Sequence, residues 1–291
     1  MNDLYTSDVL PRVVPVAAGV LGAAGLAVAC LPARVAMRRE LRRRWLTWAV
    51  AATVFVGALA LRELGATALA CLLGLIAVAE YARLARLGRG ERAVLVLGAL
   101  LLPPPALLEA VGLADPFGLR ALALLTVACV LPALLSGDTA RGGERAARTV
   151  FGMLWIPVAL TGLVVLEGTA LAVVVATAFG GAGAWCGGLL LSRLGGTLAR
   201  PLSPLSPGKT WGGVLGAGMC VAAALEAAGA FTVTLWAAVL AGCVLGDLLA
   251  ALLKREAGVK GSGAWLPGFG GLLDLIGPLL LALLTAVAVS L

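Results

Sequence analysis

The sequence predicts an all-α, polytopic integral membrane protein, a helical bundle with nine or ten transmembrane helices. Hydrophobic residues make up 61% of the 291-residue chain and charged residues only 13%, whereas soluble domains carry about 25% charged residues. The apolar residues come in runs close to the length of about 20 that a helix needs to cross a bilayer. No polar tail stands apart from this pattern, so residues 1–291 are expected to form a single integral membrane domain.

The apolar runs divide into ten candidate spans. They lie near residues 13–32, 46–61, 64–81, 93–113, 119–135, 149–167, 168–190, 212–230, 231–252 and 272–291. Several boundaries are tight, so the expected count is nine or ten. Residues 1–170 would hold the N-terminal helices, and residues 171–291 would form a C-terminal half that carries the polar motifs.

Positive charge alternates between the predicted loops. All but three of the 22 Lys and Arg residues fall in five segments, residues 33–45, 82–92, 136–148, 191–211 and 253–271. The exceptions are Arg12, Arg62 and Arg120. Because cytoplasmic loops are enriched in Lys and Arg, this bias predicts that the five segments face the cytoplasm and that both termini face the other side.

The residue types exclude several chemistries. The chain has no histidine, so no histidine acts as general base, metal ligand or pH sensor. Its six cysteines fall in or beside apolar runs, none in a C-x-x-C spacing. They are expected to be small buried side chains and not a zinc or redox site.

The segment Arg200–Gly213, with the sequence RPLSPLSPGKTWGG, is the first candidate site. Its polar motif consists of Ser206, Gly208, Lys209 and Thr210. The motif is similar to the end of a P-loop, but a P-loop requires glycine at the position of Ser203 and a preceding strand. A helix start near Thr210 still offers free N–H groups and Lys209 to an anion. A simple Ser/Pro connector with one interfacial lysine is the alternative.

Acidic residues inside predicted spans form the second candidate site. Asp247 precedes Lys254 by seven residues, which places it on nearly the same helix face and about 10 Å deeper. A carboxylate at that depth is costly and marks a polar site; a structural ion pair is the alternative. Asp274 lies early in the last span, and two carboxylates together with substrate phosphates can hold one Mg²⁺.

A series of short motifs runs through the chain. In order they are AEY (79–81), GAW (183–185), SPGKTW (206–211), VLGDL (244–248), KREAGVK (254–260), SG (262–263), LPG (266–268), GG (270–271) and Asp274. This combination resembles the phosphatidate cytidylyltransferase family, also called CDP-diacylglycerol synthases. The resemblance covers most of the chain, although the first half matches mainly by hydropathy.

The resemblance implies condensation of CTP with phosphatidate to CDP-diacylglycerol and diphosphate, a step of phospholipid biosynthesis. It implies Mg²⁺ as cofactor, held by Asp247 and Asp274, and lysine and arginine contacts to phosphate groups. The implied catalytic residues are Asp247, Asp274 and Lys260. The implied substrate-binding residues are Ser206, Gly208, Lys209, Thr210, Lys254, Arg255, Gly270 and Gly271.

The same resemblance implies partners and a location. Phosphatidate, CTP and the membrane are the expected partners, a second copy of the chain is a candidate partner, and no nucleic acid is expected. The expected location is a bacterial inner or cell membrane, with the loops 191–211 and 253–271 in the cytoplasm.

The chain also departs from the family pattern at polar positions. Glycine stands in place of a family carboxylate at Gly181, Gly261 and Gly277. The family has His where this chain has Phe269 and Arg where it has Leu275. It has Glu or Gln in place of Gly212 and Ser in place of Ala251. The glycines, prolines and basic residues that shape the loops remain.

Two functions of different classes follow from this pattern. One is an active cytidylyltransferase with a reduced metal site. The other is a non-catalytic paralogue that binds an anionic lipid or a nucleotide and regulates or pairs with an active enzyme. A transporter is less favoured because the polar residues collect at one membrane face instead of following a path through the membrane.

Overall fold

The chain folds into a helical bundle in a computed structural model that describes residues 3–30, 36–110 and 118–290. No strand occurs among these residues. The helices are α1 Asp3–Cys30, α2 Ala36–Ala60, α3 Arg62–Leu84, α4 Arg89–Leu101, α5 Pro103–Ala110, α6 Leu119–Leu135, α7 Gly142–Met153, α8 Ala159–Val165, α9 Gly168–Leu190, α10 Trp211–Ala228, α11 Val233–Ala257 and α12 Leu272–Ser290.

Seven helical segments of the described chain are long and apolar enough to cross a membrane. They are most of α1, α3, the joined helices α7 and α8, and the four helices α9 to α12. The predicted all-α, polytopic membrane bundle is therefore confirmed. The ends of the predicted spans 13–32, 93–113 and 272–291, together with Arg34 of the first basic segment, lie outside the described residues.

The other three predicted spans correspond to helices that do not meet this criterion, each for a local reason. Helix α2 begins with the basic residues of the first basic segment. Helices α4 and α5 meet at a run of three prolines that starts at Pro103, where the missing N–H groups interrupt a helix. Helix α6 is apolar but only 17 residues long.

Helices α7 and α8 form one continuous span with an irregular centre. The turn Leu154–Val158 is a π-turn that contains Pro157. Proline removes a backbone donor from the helical ladder, and a π-turn is one way in which a helix absorbs such a defect without ending.

Glycines allow the closest helix contacts. A Cβ atom on Gly183 of α9 would lie 2.5 Å from the carbonyl oxygen of Gly216 on α10. A Cβ atom on Gly246 of α11 would lie 2.7 Å from the Cα atom of Pro278 on α12. Small residues let membrane helices approach this closely, and packing is a main source of their association energy. The pairs α9–α10 and α11–α12 therefore form the tight frame of the C-terminal half.

The five basic segments converge at one end of the bundle, which we call the basic end. Contacts between segments are Arg44 with Phe269, Arg148 with Ala85 and Glu256, and Arg145 with Glu91. Lys209 of the fourth segment pairs with Asp247, just before the last segment. At the opposite end, Arg12 lies against Gly229 in the turn between α10 and α11. The charge bias of the sequence thus corresponds to the two ends of the folded bundle.

Candidate functional site

The segment between α11 and α12, residues 258–271, folds against the basic end. Gly258 ends α11 with φ 71°, a left-handed conformation that glycine adopts without a Cβ penalty. A tight turn closes where the N–H of Gly270 donates to the carbonyl of Leu266 at 3.0 Å. This turn places Gly270 and Gly271 beside the first turn of α12.

Asp274, in that first turn, is surrounded by hydrogen-bond donors. Lys254 donates to its Oδ1 atom at 2.7 Å. Its Oδ2 atom accepts the backbone N–H groups of Ser262 at 2.8 Å and Gly271 at 3.3 Å. The same atom lies 3.1 Å from the Ser262 hydroxyl, whose one proton is shared with Glu80. The side chain is only 8% exposed. Because a buried carboxylate without partners is strongly destabilising, these three donors and the shared hydroxyl are what allow Asp274 to occupy this position.

Glu80, near the end of α3, is the second acidic centre of the site and is 1% exposed. It accepts hydrogen bonds from the Trp265 indole at 2.7 Å, the Ser262 hydroxyl at 2.8 Å, and the N–H groups of Leu272 and Leu273 at 2.8 and 2.9 Å. The last two donors are free N–H groups at the start of α12, where a negative charge is favourable. One carboxylate on α3 therefore holds both the segment 258–271 and the start of α12.

Lys209 and Asp247 form a separate ion pair. Lys209 Nζ lies 2.5 Å from Asp247 Oδ2, and the two side chains are 33% and 37% exposed. An ion pair this exposed contributes little to stability. Asp247 precedes Lys254 by two helical turns of α11, or about 10 Å along the axis. Helix α11 thus carries one member of each lysine–carboxylate pair at the basic end.

The segment before α10 presents the other predicted substrate residues. Thr210 is the N-cap of α10, where its hydroxyl accepts the N–H of Gly213 at 3.3 Å and lies 2.8 Å from the Ser192 hydroxyl. The N–H of Lys209 donates to the carbonyl of Ser206 at 3.0 Å. Ser206 and Thr210 therefore shape the turn that carries Lys209.

Three further residues that were predicted to bind substrate are exposed. Arg255 and Lys260 are exposed, and neither side chain has an ion pair within the part of the chain that the structure describes. Gly208 is also exposed, with no atom within 4 Å of a Cβ placed on it. Of the four predicted phosphate-binding cations, Arg255 and Lys260 are therefore unpaired in the described chain, whereas Lys209 and Lys254 are paired with carboxylates.

The residues as placed do not form a divalent-metal site. Both oxygens of Asp274 are occupied by donors, one of them an ammonium group, and Asp247 pairs with a second ammonium group. Among residues 3–30, 36–110 and 118–290, no group of three or more Asp, Glu, Cys or His side chains could hold a metal ion. The predicted Mg²⁺ site remains an expectation, and neither carboxylate is free to serve it in this arrangement.

Sequence reasoning missed the role of Glu80 and of its donors Ser262 and Trp265. An acidic residue inside an apolar run was a signal that could have identified Glu80, by the same argument that selected Asp247. Its partners could not be identified that way, because Ser262 follows Glu80 by 182 residues.

Comparison with known proteins gives one family over most of the chain. The sequence profile described as the Cytidylyltransferase family matches residues 42–291. The chain is 31% identical over 144 residues to the phosphatidate cytidylyltransferase of Mycobacterium leprae (strain TN), an alignment that covers 44% of each chain.

Two further relatives show the same similarity over shorter regions. The chain is 39% identical over 101 residues to the phosphatidate cytidylyltransferase of Helicobacter pylori (strain ATCC 700392 / 26695), covering 32% of this chain and 35% of the relative. It is 40% identical over 92 residues to phosphatidate cytidylyltransferase 4, chloroplastic, of Arabidopsis thaliana, covering 28% and 24%. The chain therefore spans less than half the length of each of these curated relatives.

Proposed function

The chain belongs to the cytidylyltransferase family, and from this premise we propose that it binds phosphatidate and CTP at its basic end, as a membrane protein of the phosphatidate cytidylyltransferase type. The observation that carries the proposal is the convergence of four cations on one end of the bundle. They are Lys209, Lys254, Arg255 and Lys260. Lysine and arginine are the side chains best suited to phosphate oxygens.

The ion pairs suggest how phosphate binding would begin. Arg255 and Lys260 are unpaired and exposed, so they can meet a phosphate without breaking a contact. Lys209 is next, because its pair with Asp247 is half-exposed and therefore weak. Lys254 is held most firmly, by a carboxylate that is 8% exposed.

In the reaction that the family implies, a phosphate oxygen of phosphatidate attacks the α-phosphorus of CTP, and the bond to the departing diphosphate breaks. The residues of this chain would orient both substrates and balance their charge, which is the main protein contribution to such a transfer. Since the carboxylates as placed do not fit a metal ion, we assign no step to one.

We further propose that the chain as it stands turns over far more slowly than a relative with the full set of acids. The two carboxylates predicted to hold the metal, Asp247 and Asp274, are both paired with lysines, and glycine stands at three positions where the family pattern has a carboxylate. Loss of a single group that stabilises transition-state charge costs about 10²–10³ in rate.

A non-catalytic role is the second candidate function. The same lysine–carboxylate pairs that weaken the case for catalysis neutralise Asp247 and Asp274 without a metal. A chain of this kind would bind the anionic lipid or the nucleotide and regulate or pair with an active enzyme. A second copy of the chain remains a predicted partner in either case.

A turnover assay with labelled CTP, dioleoyl phosphatidate and Mg²⁺ tests the proposal, with the Mycobacterium leprae relative assayed in parallel. We expect both ligands to raise the melting temperature of the purified protein, because a ligand that binds only the folded state stabilises it. We expect turnover at least about 10²-fold below the relative. Failure of both ligands to change the melting temperature would refute substrate binding, and turnover equal to that of the relative would refute the proposed loss of rate.

The proposed location is a cell membrane with the basic end in the cytoplasm. The support is the grouping of the five basic segments at one end of the bundle, because positive loops are retained on the cytoplasmic side.

A further inference from the structure

A cavity of about 590 Å³ opens at the basic end between the C-terminal ends of α3 and α11 and the start of α7. None of the predicted site residues lines it. Its charged lining consists of Arg86, Arg141, Arg145, Arg148, Asp138, Glu144 and Glu256. Its apolar wall includes Phe151 on α7 and Leu249, Leu252 and Leu253 on α11. A cavity with arginines on one side and aliphatic side chains on the other is complementary to an amphipathic anion, which has a charged head group and an apolar chain.

The three acids that line this cavity are paired with two of its arginines, Arg145 and Arg148. Asp138 pairs with Arg145, and both Glu144 and Glu256 pair with Arg148. Arg145 also pairs with Glu91, a buried acid beneath the cavity. No acid that lines the cavity is therefore left for another cation.

The other two arginines of the cavity, Arg86 and Arg141, are available to bind an anion. Arg86 and Arg141 are exposed, and neither guanidinium has an ion pair within the described ranges. Asp138 lies close to Arg141 in the chain, but it accepts the backbone N–H of Arg141, which together with the Arg145 guanidinium lowers the pKa of Asp138. The cavity rim thus carries two uncompensated positive charges.

The apolar wall continues onto the outer surface of the bundle. Leu252 is 42% exposed, and Leu245, seven residues earlier on the same face of α11, is 51% exposed. Exposed aliphatic side chains on a membrane-spanning helix face lipid chains. A bound molecule could therefore place an acyl chain along α11 while its head group lies at the rim.

The backbone of Arg86 adds an independent observation. Arg86 follows the end of α3 with φ 53°, a left-handed conformation at a position where glycine is strongly preferred. Keeping a long side chain under backbone strain is a feature of functional positions. Glycine at this position would relax the backbone and remove the charge at once, which makes a useful variant.

We propose that this cavity binds an anionic phospholipid, with its phosphate between Arg86 and Arg141 and one acyl chain along Leu249, Leu252 and Leu253. The choice of phosphatidate as the ligand rests on the proposed function. The site would collect the lipid from the membrane next to the lysine-bearing segments, since Lys254 and Glu256 belong to the same turn of α11.

The test is lipid binding by the purified full chain, measured by native mass spectrometry with dioleoyl phosphatidate and no nucleotide. We expect Arg86→Gly with Arg141→Gln to weaken binding about tenfold or more, because two charged hydrogen-bonding groups are lost. Arg89→Gln, an exposed arginine of the same basic segment that does not line the cavity, should leave binding unchanged. Leu253→Gln should weaken phosphatidate binding as well, because it makes the wall polar.

Glycerol 3-phosphate and dioleoyl phosphatidylcholine separate the sources of affinity. We expect little binding of either, because one lacks the acyl chains and the other lacks net negative charge. Equal binding of glycerol 3-phosphate would overturn the lipid assignment. Unchanged phosphatidate binding in the double variant would overturn the proposal that this cavity binds the lipid. If CTP still raised the melting temperature of that variant, the proposed function would stand without the cavity site.

Discussion

At the scale of single residues, the site depends on buried carboxylates that organise the backbone around them. Glu80 accepts four hydrogen bonds, from the segment 258–271 and from the start of α12. No other side chain in the described chain connects α3 to this segment through so many donors. Its position would thus control the shape of the basic end, although it carries none of the predicted substrate contacts.

Replacement of Glu80 by Gln tests this role. The amide keeps the volume but has one acceptor oxygen in place of two, so buried donors lose partners, at a cost of about 1–3 kcal/mol. We expect faster hydrogen exchange at the amides of Leu272 and Leu273, measured in detergent micelles. The control is Glu40→Gln, because Glu40 is an exposed acid whose one ion pair within the described residues is with Arg44. Equal protection of the two amides in wild type and Glu80→Gln would contradict the role.

The two lysine–carboxylate pairs should differ in strength. Lys254→Met leaves Asp274 buried without its cationic partner, and we expect a loss of about 1–3 kcal/mol in the free energy of unfolding. Lys209→Met removes a half-exposed pair and should cost about 0–1 kcal/mol. Denaturant unfolding in a fixed detergent measures both. Similar losses for the two variants would show that the burial of Asp274 does not make its ion pair contribute more to stability than the Lys209–Asp247 pair.

What the sequence predicted at this scale was the identity of the charged groups, and what it did not predict was their pairing. Asp247 was expected on nearly the same helix face as Lys254 and about 10 Å deeper, with a structural ion pair as the alternative. In the structure Asp247 pairs with Lys209, and Lys254 pairs with Asp274. Helical periodicity places residues on a face but does not say which neighbouring segment packs there. The pairing depends on how α10 and α12 sit against α11.

At the scale of helices, glycine positions decide how closely α9 approaches α10. Gly183 and Gly187 face Gly216 and Gly212, with backbone atoms close to where a Cβ would lie. Gly181 belongs to the same helix, but no atom lies within 4 Å of a Cβ placed on it. The two kinds of glycine are indistinguishable in the sequence, and only packing separates them.

This contrast predicts opposite results for two neighbouring substitutions. Gly183→Ala forces a methyl group against the Gly216 carbonyl and the Cys220 side chain, and overpacking of this kind costs about 1–3 kcal/mol. Gly181→Ala should be tolerated, with no loss of stability. Melting temperature in detergent compares the two directly. A Gly183→Ala variant as stable as Gly181→Ala would mean that the helices separate without cost.

Helix boundaries were predictable where runs of apolar residues are long and uninterrupted. The spans on α3 and α9 to α12 agree with the predicted positions. The predicted span 93–113 is two helices, because Pro103 and the prolines that follow it end the regular ladder. Hydropathy measures the composition of such a segment but not the continuity of its hydrogen bonds.

At the scale of the whole molecule, the basic end should face one compartment. Gly208→Cys and Val259→Cys lie in exposed segments at the basic end, and Phe231→Cys lies in the turn at the opposite end. In a cysteine-free background, a membrane-impermeant maleimide should label the first two only in inverted vesicles and the third only in intact cells. Labelling of positions 208 and 259 from opposite sides would exclude a shared site.

Introducing the acids that the family pattern has at three glycine positions of this chain tests the proposed low turnover. The combined changes are Gly181→Asp, Gly261→Asp, Gly277→Asp, Phe269→His and Leu275→Arg. None of the three glycines has a positive φ, and the nearest atoms to their Cβ positions lie no closer than 3.3 Å. At Gly261 that neighbour is Asp274 Oδ2, so a new carboxylate there would stand beside an existing one.

We expect the five changes together to raise Mg²⁺-dependent CDP-diacylglycerol formation by about 10²-fold or more, because one group that stabilises transition-state charge is worth about that factor in rate. Single changes should have small effects, since one added carboxylate without partners is mainly a desolvated charge. The matched control carries Asn in place of each new Asp. A folded quintuple variant with no gain in activity would show that the loops have diverged beyond these side chains.

The bond between Glu80 and Ser262 also has a consequence for biosynthesis. The two residues are 182 positions apart, so at a synthesis rate of about 5–20 residues per second Glu80 exists for roughly 10–40 s before its partners are made. During that interval its carboxylate, about one turn inside the end of α3, must be hydrated or held by other groups. The basic end can therefore take its final form only after the last helix has been inserted, and a chain interrupted before α12 would expose an unsatisfied acid to the quality-control machinery of the membrane.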